Sequence, residues 1–220
     1  MARKPAAAAH VTEVYLELGT KRVFACAYEF PGLCRSARYE DMALAALVSA
    51  VPRYATVAKT AGSPPPTDTL EVIERVAGSV STDFGVPGTI TSRDREPLTA
   101  AETRRVLALV AAAWTILDHT AAGAPQELTK GPRGGGRDRD KIVDHVLGAE
   151  VGYVAQLGVR GRKQPLLNDK NGVAGHRAAI LEALAGTKET AWPPRYAARR
   201  IAWHALDHAW EIEDRIPRSS

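Results

Sequence analysis

The stretch VTEVYLEL (11–18) alternates. Val11, Glu13, Tyr15 and Glu17 point one way, and Thr12, Val14, Leu16 and Leu18 the other. Period two with β-branched and aromatic content predicts a strand. After a turn at Gly19-Thr20-Lys21, RVFACAYEF (22–30) reads as a second strand closed by Pro31-Gly32, and LCRSA (33–37) as a third. From Tyr39 the period becomes helical. Met42, Leu44, Ala45, Leu47, Val48 and Val51 recur at helix spacing up to Gly62, with Pro52 placed to kink or restart the helix. SPPPTD (63–68) cannot be regular structure. TLEVIERVAG after it reads as a strand in preference to a short helix, and 88–97 as loop with at most an edge strand.

Beyond residue 98 the pattern changes to helices joined by loops. Thr99 and Glu102 have the spacing of a capping box. VLALVAAAWTILDHTAAG behind them is apolar almost all round, as a central helix would be. Further helices are predicted over 140–158, 176–186 and 195–216, ended by Gly158, Gly186 and Pro217. The basic glycine-rich stretch KGPRGGGRDRD (130–140) and residues 160–175 read as loops. The fold class is therefore α+β. A small module with an antiparallel sheet and a helix (1–90) precedes an antiparallel four-helix bundle (91–220), with the composition shift near 88–98 as the boundary.

Composition changes this picture little. Of 220 residues, 45% are apolar and 25% charged, the balance of a soluble globular protein. A net charge of +4 is a mild basic bias, far from the stripe of a nucleic-acid binder. No apolar run reaches the ~20 residues of a membrane span, and the start, MARKPAAAAHVTEV, is too weakly apolar for a secretory signal. A cytoplasmic location is expected. Cys26 and Cys34 lie symmetrically about the Pro-Gly turn and are expected to be reduced there.

The candidate chemistry sits in RIAWHALDHAW (200–210). Ile201, His204, Ala205, His208 and Ile212 share one helix face, so two imidazoles stand one turn apart on an apolar stripe. His145 lies on the apolar stripe Ile142, Val146, Ala149, Tyr153 of the second helix and is the candidate third ligand; His119 competes for that place. Neutral imidazoles suit first-row divalent metals, here zinc, nickel, iron or manganese. Buried histidines hydrogen-bonded to side chains or water are the bland alternative. His10 and His176 read as surface residues. Asp207 and Glu211 are placed to orient imidazoles, although solvent-facing charge is the commoner role for such residues. Arg200 and Tyr196 precede His204 by one and two turns. An inner arginine needs an anionic partner, either a carboxylate of another helix or one carried by a substrate. The loop residues Arg133, Gly134, Gly135, Gly136, Arg137 and Arg139 run into the N-terminus of the His145 helix, a setting that favours an anion; a merely solvated loop is the alternative. Trp203 and Trp210 pack core or a dimer face, and with an open strand edge they make a homodimer an expectation.

Over about 95–216 the chain resembles the DinB-like four-helix family, in helix order and in placing His145 in DKIVDHVLGAE and the pair His204 and His208 in RRIAWHALDHAWEIED. The resemblance implies an up-down-down-up bundle and a divalent metal on that triad. It also implies a transferase or isomerase acting on a small molecule with a low-molecular-weight thiol such as mycothiol. A hydrolase is the lesser option. The HxxxHxE pattern of the related sulfoxide synthases fails, because Trp210 takes the last place and Glu211 comes one residue late. VFACAYEFPGLCRSARYEDMALAAL resembles the HicB-like antitoxin partner domain over about 11–60, with SARYEDMALAAL in place of that family's usual helix opening. That resemblance implies a protein-binding role and supplies the alternative function, a non-enzymatic interaction or scaffold protein. Nucleic acid and membrane are not expected partners.

Overall fold

The structure is a computed structural model that describes residues 11–131, 135–186 and 188–217. Strands β1 (Thr12–Leu18), β2 (Val23–Ala27) and β3 (Cys34–Ala37) follow one another, helix α1 (Glu40–Thr60) crosses back, and β4 (Leu70–Ala77) completes a sheet of order β3-β2-β1-β4. Pairs β1–β2 and β2–β3 are antiparallel, but β4 runs parallel to β1. The sheet is thus mixed, not antiparallel as expected. A parallel pair needs a long crossover, and the 21-residue α1 supplies it.

The alternation in β1 does not separate a wet face from a dry one. Val14 and Leu16 enter the main core, while Tyr15 joins Phe24, Cys26, Cys34 and Trp203 on the opposite face. Glu17 is fully buried and satisfied: it accepts from the Thr82 hydroxyl at 2.5 Å and from the Gly88 and Thr89 amides at 3.0 Å each. Cys26 and Cys34 are direct cross-strand partners and their sulfurs are joined as a disulfide, a correction to the reduced state expected.

A short helix α2 (Val80–Asp83) and a 3-10 turn at Arg93–Arg95 lead to α3 (Ala100–Gly123), α4 (Arg139–Gln156), α5 (Lys170–Ala185) and α6 (Pro194–Asp214). Thr99 and Glu102 form the capping box at the start of α3 as predicted. By length and hydropathy α3 could cross a membrane, against the expectation that no run suffices. Its Leu109, Ala113 and Leu117 are nevertheless buried in the core, and it packs along α6. Helix α5 begins six residues before the predicted 176: Asp169 caps it by accepting from the Gly172 amide at 2.9 Å. The weak helix formers Gly172 and Gly175 hid that first turn from a propensity reading. One core unites side chains of β1, β2, α1 and α3 to α6, from both sides of the predicted 90/91 boundary.

The Pro31-Gly32 turn docks on α6. The Tyr54 hydroxyl donates to the Pro31 carbonyl at 2.7 Å, and Gly32 has φ +93°. A Cβ there would stand 2.6 Å from Leu206 Cδ1 and 3.0 Å from the Ala202 carbonyl carbon. Gly32→Ala is therefore expected to cost about 1–3 kcal/mol, from the left-handed backbone and the contact with α6 together. An unchanged urea midpoint would show that the turn can leave α6 without loss.

Candidate metal centre

Helices α4 and α6 pack against each other and bring His145, His204 and His208 together. One ring nitrogen from each lies within 4.8 Å of the others. His119, the competitor for the third place, is exposed on α3 and stands outside the group. The Nε2 atoms of His204 and His145 are 3.3 Å apart. Two nitrogens held tetrahedrally at 2.0–2.1 Å from one ion would be separated by about 3.3 Å. His208 turns Nδ1 to Glu211 at 2.7 Å, which leaves its Nε2 for an ion. That is the carboxylate–histidine arrangement that fixes the tautomer and orientation of a ligand.

Burial sets the protonation of His204 and His145. It pushes the His204 imidazole down to about 2, with His208 and Arg200 adding repulsion. His145 is lowered by burial and then by Arg137. Both rings are therefore neutral donors at pH 7, the form a metal binds. The buried Nδ1 of His204 has no hydrogen-bond partner among the described residues.

The other predicted residues fall into two sets. Glu211 reaches His208 and also accepts from Arg215 at 2.6 Å, whereas Asp207 pairs with Arg35 at 3.5 Å and makes no hydrogen bond to an imidazole of the described residues. Arg200 lies over the rings of Trp203 and Tyr153, at 4.7 and 5.4 Å. No carboxylate of the described residues pairs with Arg200, and its buried Nη1 has no partner. Tyr196 donates to the Gly88 carbonyl at 3.1 Å. Arg133 and Gly134 lie outside the described residues. Gly135 accepts from the Gly131 amide at 2.9 Å, Gly136 lies against Arg215, and Arg139 donates to Asp140 and to the Ala124 carbonyl, both at 2.7 Å. Arg137 alone of the described loop arginines lines the open surface beside His145, with Lys141 and Asp144.

Two features escaped the reading of the sequence. Tyr153 and Trp192 stack at 5.2 Å, and Tyr153 meets His204 edge-on at 5.7 Å, so an aromatic wall backs the site. His176, read as a surface residue, is buried at 1% exposure. Its spacing to Ile180 and Leu184 is that of one helix face, a signal already present within the predicted helix 176–186. Tryptophans Trp203 and Trp210 are buried, Trp210 beneath the Arg35 guanidinium at 3.9 Å, and so pack core. Comparison of the chain with models of protein families, with curated proteins and with solved structures returned no match.

Proposed function

We propose that the chain is a divalent-metal-dependent enzyme of the DinB-like kind, with α3 to α6 as its bundle, working as a transferase or isomerase on a small anionic substrate. The observation that carries this reading is the convergence of three histidines within 4.8 Å, one of them braced by Glu211. His145, His204 and His208 would hold zinc, nickel, iron or manganese. A bound divalent metal would lower the pKa of a thiol or water placed on it.

The chain's own residues supply the rest. Glu211 holds the His208 tautomer. Arg200 offers a guanidinium that pairs with no carboxylate of the described residues, one turn before His204, and so would receive a substrate carboxylate. Trp203 and Tyr153 limit the water around that charge, which strengthens the pairing. No cysteine belongs to the histidine group, so a thiol nucleophile would come with a cosubstrate such as mycothiol.

Elemental analysis of tag-free protein tests this, beside the triple variant His145→Ala/His204→Ala/His208→Ala. About one metal per chain in the wild type and none in the variant is the expected result. A metal-free wild type after exposure to all four ions would sink the reading. A second reading, a HicB-like docking module, draws on Val80 and Phe84, which are 72% and 83% exposed beside the sheet. A protein that copurifies with metal-free chain and is lost in Phe84→Ser would favour it.

A further inference from the structure

A groove separate from the histidine cluster runs between α3, α4 and α5. Its volume is about 690 Å³, within the range of small-molecule sites. The floor is apolar, built from Ala121, Val143, Leu147, Val173 and Ala174. Three cations stand around it: Arg139, Lys170 and Arg177. Two of them are engaged. Arg177 makes a two-pronged pair with Asp118 at 2.6 and 3.0 Å, and Arg139 is held by Asp140 at 2.7 Å. Lys170, at the first position of α5, is exposed and forms no ion pair with a described residue. The groove thus pairs an apolar trough with one uncommitted positive charge at its edge. Burying apolar atoms contributes roughly 25 cal/mol per Å², and a single ammonium orients one anionic head.

We propose that this groove binds a small amphipathic carboxylate, its apolar chain in the trough and its head at Lys170. A neutral apolar ligand would leave Lys170 idle, and a polyanion would meet Asp118 and Asp140. The groove shares Asp140 and Leu167 with the open surface that carries His145. Five residues of helix, ~7.5 Å, separate Asp140 from His145. The trough therefore adjoins the open surface beside the candidate metal centre, but binding in it does not depend on a metal there.

The test is calorimetric titration of the full chain with decanoate, below its micelle threshold. Saturable binding of one decanoate per chain is expected. Ala174→Trp puts an indole into the trough from an exposed position and should abolish it. Lys170→Glu should weaken it roughly fivefold or more, since the charge is lost and reversed. Circular dichroism and metal content should stay as in the wild type for both variants, which separates a failure of this proposal from a failure of the metal reading. The proposal is overturned if the wild type shows no saturable binding, or if Ala174→Trp binds decanoate as well as wild type. It is also overturned if decanol binds as tightly as decanoate. A dimeric wild type made monomeric by Ala174→Trp, with no decanoate bound, would identify the groove as a self-association face instead.

Discussion

Asp94→Ala should destabilise the protein by about 3–5 kcal/mol, a large part of the stability of an ordinary domain. Asp94 is 2% exposed and Arg199 7%. Asp94 accepts from Arg199 Nε at 3.1 Å and Nη2 at 2.5 Å, and from the Thr91 amide and hydroxyl at 2.8 and 3.0 Å. The remaining arm of Arg199 donates to the Tyr15 hydroxyl. One carboxylate therefore fastens α6 to the 3-10 turn before α3, and the same guanidinium fastens α6 to β1. Removing the carboxylate leaves a buried cation among the rings of Tyr15, Tyr28 and Tyr196 with no anion paired to it among the described residues. The cost comes from that orphaned charge, not from the value of the pair. Asp94→Ala/Arg199→Met should accordingly recover much of the loss. Chemical denaturation of the three proteins decides it: a double variant no better than Asp94→Ala would show that the network matters for position, not charge.

Arg199 and Arg200 illustrate what a sequence can say. Adjacent helix positions point about 100° apart, so one arginine faces the sheet and the other the histidine side. The heptad-like stripe through Ile201, His204, Ala205 and His208 located Arg200 and both histidines from spacing alone, but spacing did not separate Glu211, which reaches His208, from Asp207, which pairs with Arg35. Spacing could not find Asp94, because the partners are 105 residues apart and the acid lies in a segment with no period of its own. The same limit hid the parallel pairing of β4 with β1. Alternation in LEVIERVA identifies a strand, while the edge it joins is chosen by where α1 delivers the chain. On α4 the buried stripe is Ile142, Val146, Leu147, Glu150 and Val154, which leaves His145 and Tyr153 half-buried on its flank. The predicted stripe was rotated toward the histidine, since a buried glutamate reads as polar in any sequence pattern.

That glutamate gives the last large effect. Glu150 is 1% exposed, and its Oε1 accepts from the Trp114 indole at 2.6 Å. His176 Nε2 is 3.8 Å from Oε2, and Oε2 has no hydrogen-bond partner among the described residues. From α3 and α5, Asp118 and Arg177 complete the charged groups around it. Burial pushes the Glu150 carboxyl up to about 7, against the pull of Arg177 and the indole. His176 is lowered, by burial first, and stays neutral near pH 7. A carboxyl raised in the folded state supports folding fully below its unfolded value near 4.5, and that support is lost as pH rises through 7. The difference between about 7 and 4.5 corresponds to about 3 kcal/mol. Glu150→Gln keeps an oxygen for the indole and cannot ionise. Above pH 8 it should raise stability by up to about 3 kcal/mol, or ~6–12 °C in Tm for a chain of this size, while near pH 4.5 the variant and wild type should melt together. His176 titrates in both proteins and cancels in the difference. A stability gap that does not change with pH would mean that Glu150 is ionised throughout and held by Arg177, so that α5 is pinned by a buried ion pair instead of a protonated acid.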